Sequence, residues 1–361
     1  MTLPSDTARA WVDIDLGALV ANGRTLAAAC ESRLLPMVKA NGYGLGAARV
    51  ARALEALDPW GYGVATVEEG NALRVAGVAR PILVVSPLTR DSIDAVVARG
   101  FRPAIGDAAM LAEWIQRRAG PFHLEIDTGM ARAGLRWDDD SALREVAGLL
   151  ASAPEWEGVF THFHSADSEP ASVGTQWDRF QSVLTGFPRR PSLVHAANSA
   201  AALSGRSYAA DLVRPGIFLY GGRPGGSAPA PRPVAALRAR VMAVRTVGPG
   251  ESVSYGATWR ASRRTTVATL GIGYADGLPR AAERNEGPPR RVEVRGRTVP
   301  LIGRVTMDMS MAAVDDGEVA IGDVATVFGG MISLDEQAQA AGTISYELLT
   351  SLGSRVVRRY A

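Results

Sequence analysis

The chain is poor in the residues that most often announce a site by themselves. It has one cysteine, Cys30, and four histidines. A single thiol closes no internal disulfide and builds no cysteine zinc site. Four histidines without a His-Glu-x-x-His run argue against a metal centre. Lysine is scarcer still: of 39 basic residues Lys39 alone is a lysine, and the rest are arginine. An excess of either charge is also lacking. Against 37 acidic residues the net charge is +2, too small to draw nucleic acid or an anionic membrane through a long-range field. No apolar run reaches the roughly 20 residues that span a bilayer. Met1–Ala10 is polar and has no hydrophobic signal core. A cytoplasmic protein with no nucleic-acid or membrane partner is expected.

What is present suits two domains. The 361 residues are 47% hydrophobic, enough for more than one core. From Trp11 to Tyr220 short apolar runs alternate with amphipathic stretches such as Ala47–Leu57 and Gln176–Leu184. Asp15 is placed to cap a helix carrying Leu16, Leu19, Val20 and Leu26. Eight runs read as strands: Leu34–Lys39, Tyr62–Thr66, Ile82–Ser86, Arg102–Ile105, Phe122–Asp127, Val159–Phe163, Leu193–Ala196 and Leu212–Arg214. Eight β/α units predict an N-terminal (β/α)8 TIM-type barrel over residues 11–234, although a doubly wound open sheet shares the local pattern. Gly221–Pro233 reads as a linker. Beyond it, Leu237–Val247, Arg264–Leu270, Arg291–Val294, Thr298–Ile302, Met311–Val314 and Val324–Phe328 predict a mostly β C-terminal domain over 235–361. A short helix is expected at Tyr346–Leu352 and an exposed loop at Ala281–Pro289. Residues 1–10 are expected to pack against the second domain.

In such barrels the site lies at the C-terminal strand ends. Lys39, His162, His195 and Arg214 all end predicted strands, and Arg132 follows Asp127 closely. A lone lysine at the end of an apolar strand is open to desolvation, which lowers its pKa and frees a nucleophilic amine. That chemistry suits imine formation with an aldehyde cofactor. The bland alternative is a strand-end lysine reaching solvent. The glycines Gly42, Gly44 and Gly46 form neither a dinucleotide fingerprint nor a P-loop. By themselves, Tyr255 reads more readily as a packing residue, Asn198 and Ser199 also as helix caps, and Arg214 equally as a structural salt-bridge partner.

The stretch Val38-Lys39-Ala40-Asn41-Gly42-Tyr43-Gly44 resembles the cofactor-lysine motif of bacterial alanine racemases. The resemblance continues, in family order, through Asp127-Thr128-Gly129-Met130-Ala131-Arg132, Thr161-His162-Phe163, His195-Ala196-Ala197-Asn198-Ser199, Arg214-Pro215-Gly216-Ile217, Ser254-Tyr255-Gly256, Gly273-Tyr274, Met307-Asp308 and Tyr346-Glu347. It implies a pyridoxal-phosphate racemase that interconverts L- and D-alanine, with Lys39 and Tyr255 as opposed acid/base groups. Lys39 would hold the cofactor covalently. Tyr43, Asn198, Ser199, Gly216, Ile217 and Tyr346 would bind its phosphate end, His162 would pack at the ring, and Arg214 would face the ring nitrogen with support from His195. A guanidinium there does not accept a proton and disfavours a pyridinium. Arg132 and Met307 would bind the substrate carboxylate, Tyr274 would line the entrance, and Asp308 would play a supporting part. The resemblance further implies a homodimer in which the partner supplies the residues matching Tyr255 and Met307.

Two positions depart from the family. Leu45 stands where histidine is common. Glu125 stands where a carbamylated lysine is common, and it is expected to pair directly with Arg132. Alternatives of the same fold are a broad-specificity or serine racemase, or a non-catalytic protein that binds the cofactor. A decarboxylase of this build is disfavoured by Arg214.

Overall fold

A computed structural model describes residues 7–225, 228–280 and 289–361. The expected loop 281–289 therefore lies almost wholly outside the described residues, as does most of 1–10. Strand β1 (Ala10–Ile14) opens the described part of the chain. There follow β2 (Arg33–Leu34), β3 (Tyr62–Val64), β4 (Ile82–Val84), β5 (Arg102–Ile105), β6 (Phe122–Asp127), β7 (Leu135–Arg136), β8 (Trp156–Phe160), β9 (Leu193–His195) and β10 (Leu212–Val213). The second half contributes β11 (Ala235–Val247), β12 (Ser252–Val253), β13 (Trp259–Arg260), β14 (Thr265–Leu270), β15 (Arg291–Val294), β16 (Arg297–Ile302), β17 (Ser310–Val314), β18 (Val324–Phe328) and β19 (Val357–Tyr360).

The first sheet is parallel, in the order β2-β10-β9-β8-β6-β5-β4-β3, with β7 beside β6. Its two ends meet. Val38 N–H donates to the Gly63 carbonyl at 2.9 Å, and Gly63 N–H donates to the Pro36 carbonyl at 2.9 Å. The sheet is thereby closed into the expected eight-stranded barrel. Its strands are apolar runs buried on both faces, such as Ile82-Leu83-Val84, as a sheet covered by helices requires. The helix Leu16–Cys30 begins as predicted, with Ala18 N–H donating to Asp15 Oδ1 at 2.8 Å. No helix among the described residues is long and apolar enough to cross a membrane.

The second sheet runs β14-β17-β16-β15-β18-β11-β1-β19, and β14 also pairs with β11. Six strands thus close an antiparallel barrel, with β1 and β19 as its extension. This corrects two expectations. Trp11–Ile14 falls inside the span 11–234 expected for the parallel barrel but is not part of that barrel. It pairs antiparallel with β11 and parallel with β19, because its partners are supplied far along the chain, at Ala235–Arg238 and Val357–Tyr360. And Leu34–Lys39 is not one continuous strand. Regular pairing covers only Arg33–Leu34, Met37 makes an isolated bridge to Gly63, and Lys39 begins a tight turn.

That turn is left-handed. Ala40, Asn41, Gly42 and Tyr43 have φ values of 51°, 54°, 64° and 52°. Each such conformation is unfavourable for an L-residue, so outside contacts must hold it. The C-terminal strand supplies some: Arg358 Nε donates to the Gly44 carbonyl at 3.1 Å and the Tyr360 hydroxyl to the Leu45 carbonyl at 3.0 Å. Gly44, at φ 81°, lies so close to the helix Ser345–Thr350 that an added Cβ would sit 2.1 Å from the Leu349 carbonyl oxygen.

Gly44→Ala is expected to lower unfolding free energy by roughly 2–4 kcal/mol, through both backbone strain and collision. Gly77→Ala isolates the backbone part, since Gly77 has φ 89° but nothing within 4 Å of an added Cβ; it should cost only about 1 kcal/mol. Urea titration of both variants checks this, and equal losses would show that the contact with the C-terminal helix is not tight.

Candidate active site

The left-handed turn aims Lys39 across the C-terminal mouth of the barrel. It is held by an acidic residue that the sequence reading missed. Glu69 Oε1 accepts from Ala40 N–H at 2.6 Å, while Oε2 accepts from Ala65 N–H at 2.8 Å. One carboxylate thus ties the chain after Lys39 to the chain after β3. Its only sequence signal is an acidic residue in the first turn of the helix Val67–Val75, which is also an ordinary feature of helix starts.

Lys39 lines a cavity of about 240 Å³ with Tyr43, Glu125, Arg132, His162, Asn198, Ser199, Arg214, Gly216 and Tyr346. These predicted residues come from separate strand ends and from the helix Ser345–Thr350. Burial lowers the Lys39 pKa, and Arg132 lowers it further while Glu69 partly opposes. The amine is therefore more readily neutral, and nucleophilic, than an exposed lysine. His162 is pushed down to about 3 by burial and by Arg214, so its imidazole is neutral. At the other end Tyr43 stacks on Tyr220 at 4.4 Å and tilts against Tyr346 at 6.0 Å. Burial pushes the Tyr346 hydroxyl up to about 12 and raises that of Tyr43 as well; both phenols stay protonated and can donate to an anion. Ser199 Oγ accepts from Gly216 N–H at 2.9 Å. Asn198 caps the short helix that follows it, taking Ala201 N–H at 3.1 Å, the bland role foreseen for it. Ile217 is wholly buried and does not line the cavity with its side chain.

Arg214 is buried, and its Nη1 and Nη2 groups are taken up by neighbouring strand ends. Nη1 donates to His195 Nδ1 at 2.8 Å and to the His195 carbonyl at 3.1 Å. Nη2 donates to the Thr161 carbonyl at 2.7 Å and the Ala196 carbonyl at 3.2 Å, and lies 3.3 Å from His162 Nδ1. Burial brings its pKa to about 10, which still leaves only about one guanidinium in a thousand neutral at pH 7. His195 and Arg214 are thus in direct contact.

Glu125 shares the cavity with Arg132 and Arg214. The expected direct ion pair with Arg132 is not formed: among the described residues Glu125 has no charged partner within 4 Å. The reason is the loop after β6. Asp127 accepts from Gly129 N–H at 2.9 Å and Ala131 N–H at 3.1 Å, folding the chain so that Arg132 is carried out to an exposed position. Glu125 is left buried and desolvated.

Tyr255, Met307 and Asp308 line a different groove, on the antiparallel barrel. Tyr255 is 66% exposed and Met307 53%. Tyr255 sits in a strained turn, with φ of 68° at Ser254 and 47° at Ala257. The Met307 loop is tied to the Tyr274 turn, since Tyr274 N–H donates to the Thr306 carbonyl and Ala275 N–H to the Met307 carbonyl, both at 3.0 Å. Asp308 takes Arg355 Nη1 at 2.8 Å, while Arg9 and Arg355 both bind buried Asp276. Asp308 thus ties its loop to Arg355. Within one chain the two groups of predicted residues do not share a cavity.

Two families match in sequence: the alanine racemase N-terminal domain over residues 14–224 and the alanine racemase C-terminal domain over 234–360. The alanine racemase of Deinococcus radiodurans is 41% identical over 299 residues, covering 81% of this chain and 82% of the relative. That of Acidiphilium cryptum is 39% identical over 360 residues, covering 96% and 97%. Among solved structures, alanine racemase from Bartonella henselae with covalently bound pyridoxal phosphate has a TM-score of 0.89 at 31% identity, covering 98% of this chain and 100% of that one.

The environment of Glu125 has a consequence for stability. Burial raises its carboxyl from 4.5 to about 6, against the pull of Arg214 and Arg132. Between these values the folded chain keeps a proton that the unfolded chain has lost. Stability therefore falls as pH rises through this window, by about 2 kcal/mol in all. Glu125→Gln cannot ionise. Without ligand it should be more stable than wild type by about 2 kcal/mol at pH 8 and not at pH 4. Denaturant midpoints at the two pH values measure this; a variant no more stable at pH 8 would contradict it.

Proposed function

Because this chain belongs to the alanine racemase family, we propose that it interconverts L- and D-alanine, with Lys39 and Tyr255 as acid/base groups on opposite faces of the substrate. The observation that carries this reading is the setting of Lys39: the one lysine of the chain, desolvated and under the charge of two guanidiniums, in a cavity also lined by hydroxyls.

That donor set fits pyridoxal phosphate. An amine for the aldehyde carbon, a donor-only guanidinium for the ring nitrogen, a neutral imidazole for the ring face and the hydroxyls of Tyr43, Ser199 and Tyr346 for the phosphate stand along one cavity. When bound, the cofactor supplies a conjugated ring that accepts electron density and so acidifies the substrate Cα–H. The protein's own part is to hold and move protons. Lys39 Nζ takes or returns the Cα proton on one face, and the Tyr255 oxygen does so on the other. Arg132 holds the substrate carboxylate with the Met307 backbone, and Tyr274 narrows the entrance. Asp308 keeps the Met307 loop in place.

Tyr255 and Met307 come from a second copy of the chain in this reading, which makes the protein a cytoplasmic homodimer with composite sites. Its support is that both side chains stand exposed on a groove apart from the Lys39 cavity. A single chain would leave the two bases in different clefts.

Chiral assay on a panel of amino acids, alanine and serine included, tests the proposal. Wild type is expected to racemise alanine fastest. Lys39→Ala should lose activity in both directions, and Tyr255→Phe should lose about 10²–10⁴-fold, the scale of a general acid/base group. A Tyr255→Phe enzyme as fast as wild type would refute the two-base assignment, and a preference for serine would replace the substrate.

A further inference from the structure

Below Arg214 and His195 the barrel interior carries polar side chains, His123 and Glu157, that none of the roles above uses. Their arrangement starts from a constraint of chemistry. A guanidinium donates hydrogen bonds and accepts none. With Arg214 Nη1 at 2.8 Å, His195 Nδ1 must be an acceptor, so the proton of that ring sits on Nε2. His195 Nε2 lies 2.8 Å from His123 Nδ1. The same logic makes His123 Nδ1 an acceptor and puts its proton on Nε2. His123 Nε2 lies 3.3 Å from Glu157 Oε2, and Arg102 Nε lies 3.2 Å from the same oxygen. The hydrogen bonds therefore run one way, from the guanidinium through two imidazoles to a carboxylate.

The chain of contacts is built into the sheet. Where β6 meets β8, Phe122 opposes Trp156 but His123 opposes Gly158. Glu157 is the extra residue of a bulge, a device that re-aims side chains. Gly158 leaves room for the imidazole: a Cβ there would lie 2.5 Å from His123 Nδ1. Phe160 stacks on His195 at 5.0 Å and also lies under the Arg214 guanidinium at 5.1 Å. Trp60 packs on His123 at 5.4 Å. Both histidines are completely buried; burial lowers the pKa of both rings, aided by Arg214 at His195 and partly opposed by Glu157 at His123.

We propose that His123 and Glu157 are positioning residues that act through His195 on Arg214. Neither lines the cavity. The Glu157 carboxylate accepts from His123 Nε2–H and so favours, from the far end, the same Nε2–H forms of both rings that Arg214 requires. Only this form of His195 offers Arg214 an acceptor; the other would point an N–H at an N–H. Arg102 anchors the far end by neutralising Glu157. The role rests on the reading of Arg214 as the group that faces the cofactor ring, and it extends the machinery from the mouth of the barrel down into its interior.

The four histidines make the proposal measurable. In the cofactor-loaded enzyme labelled with ¹⁵N-histidine, long-range proton–nitrogen spectra report which ring nitrogen is protonated. Wild type should show His123 and His195 neutral, both as Nε2–H, from about pH 6 to about pH 9. Glu157→Gln keeps an acceptor oxygen and should preserve both forms. Glu157→Leu removes it and leaves the buried His123 Nε2–H without an acceptor; the His123 Nε2 and Nε2–H resonances should then move from their wild-type positions, and kcat should fall about tenfold with KM nearly unchanged, the scale on which outer partners of functional histidines act. An imidazolium or an Nδ1–H form in either ring of wild type overturns the proposal without any variant. So does a folded Glu157→Leu enzyme with wild-type spectra and kcat. Arg214→Lys separates this proposal from the reading beneath it: if it slows racemisation while Glu157→Leu does not, the positioning chain fails and the site assignment stands. If Arg214→Lys is itself without effect, the assignment of Arg214 fails.

Discussion

A buried guanidinium has to find acceptors, and the mouth of the parallel barrel is organised around that demand. Arg214 draws in the carbonyls of Thr161, His195 and Ala196 and a ring nitrogen of His195. An unpaired charge at this depth would cost several kcal/mol. The shared acceptors gather the ends of β8, β9 and β10 about one point. They also leave the cavity with a fixed positive charge next to a lysine and two neutral histidines. The lowered pKa values of Lys39 and His162 follow in part from the same charge acting through a desolvated space.

The second constraint is the left-handed turn after Lys39. It is unfavourable by itself and is held from several sides. Glu69 binds it from the next β/α unit, Arg358 and Tyr360 bind it from the last strand, and the helix Ser345–Thr350 lies against Gly44. The antiparallel barrel therefore does more than carry Tyr255. It helps hold the lysine of its own chain in place, through the pairing of β19 beside β1 that brings Arg358 and Tyr360 to the turn.

Much of this is legible in the sequence. Eight strand runs and their intervening helices are local patterns, so apolar runs and the Asp15 cap mark them. Lys39 stands out because it has no competitor in composition. Other features are not legible. The Val159–Phe163 run reads three residues late against the observed Trp156–Phe160, because the bulge at Glu157 breaks its alternation. Trp11–Ile14 falls within the span read as the first domain because sequence position does not say which sheet a short apolar run joins. Glu125 and Arg132 are close in sequence, yet the Asp127-capped loop turns the arginine away. Glu69, His123 and Glu157 give no signal because each alone is an ordinary residue of a helix start or strand.

The sequence by itself determined which chemistry the chain can carry: a single primary amine among its side chains, a donor-only group near a strand end, a phenol in a Ser-Tyr-Gly turn, and strand and helix runs in a set order. Those are properties of side chains and of short-range periodicity. Only the tertiary structure decided the handedness of the Lys39 turn, the proton positions on His195 and His123, and the division of the predicted residues between two clefts. Each of these is fixed by contacts between residues tens to hundreds of positions apart, such as Arg214 with Thr161 or Gly44 with Arg358, and no local pattern encodes such a partner.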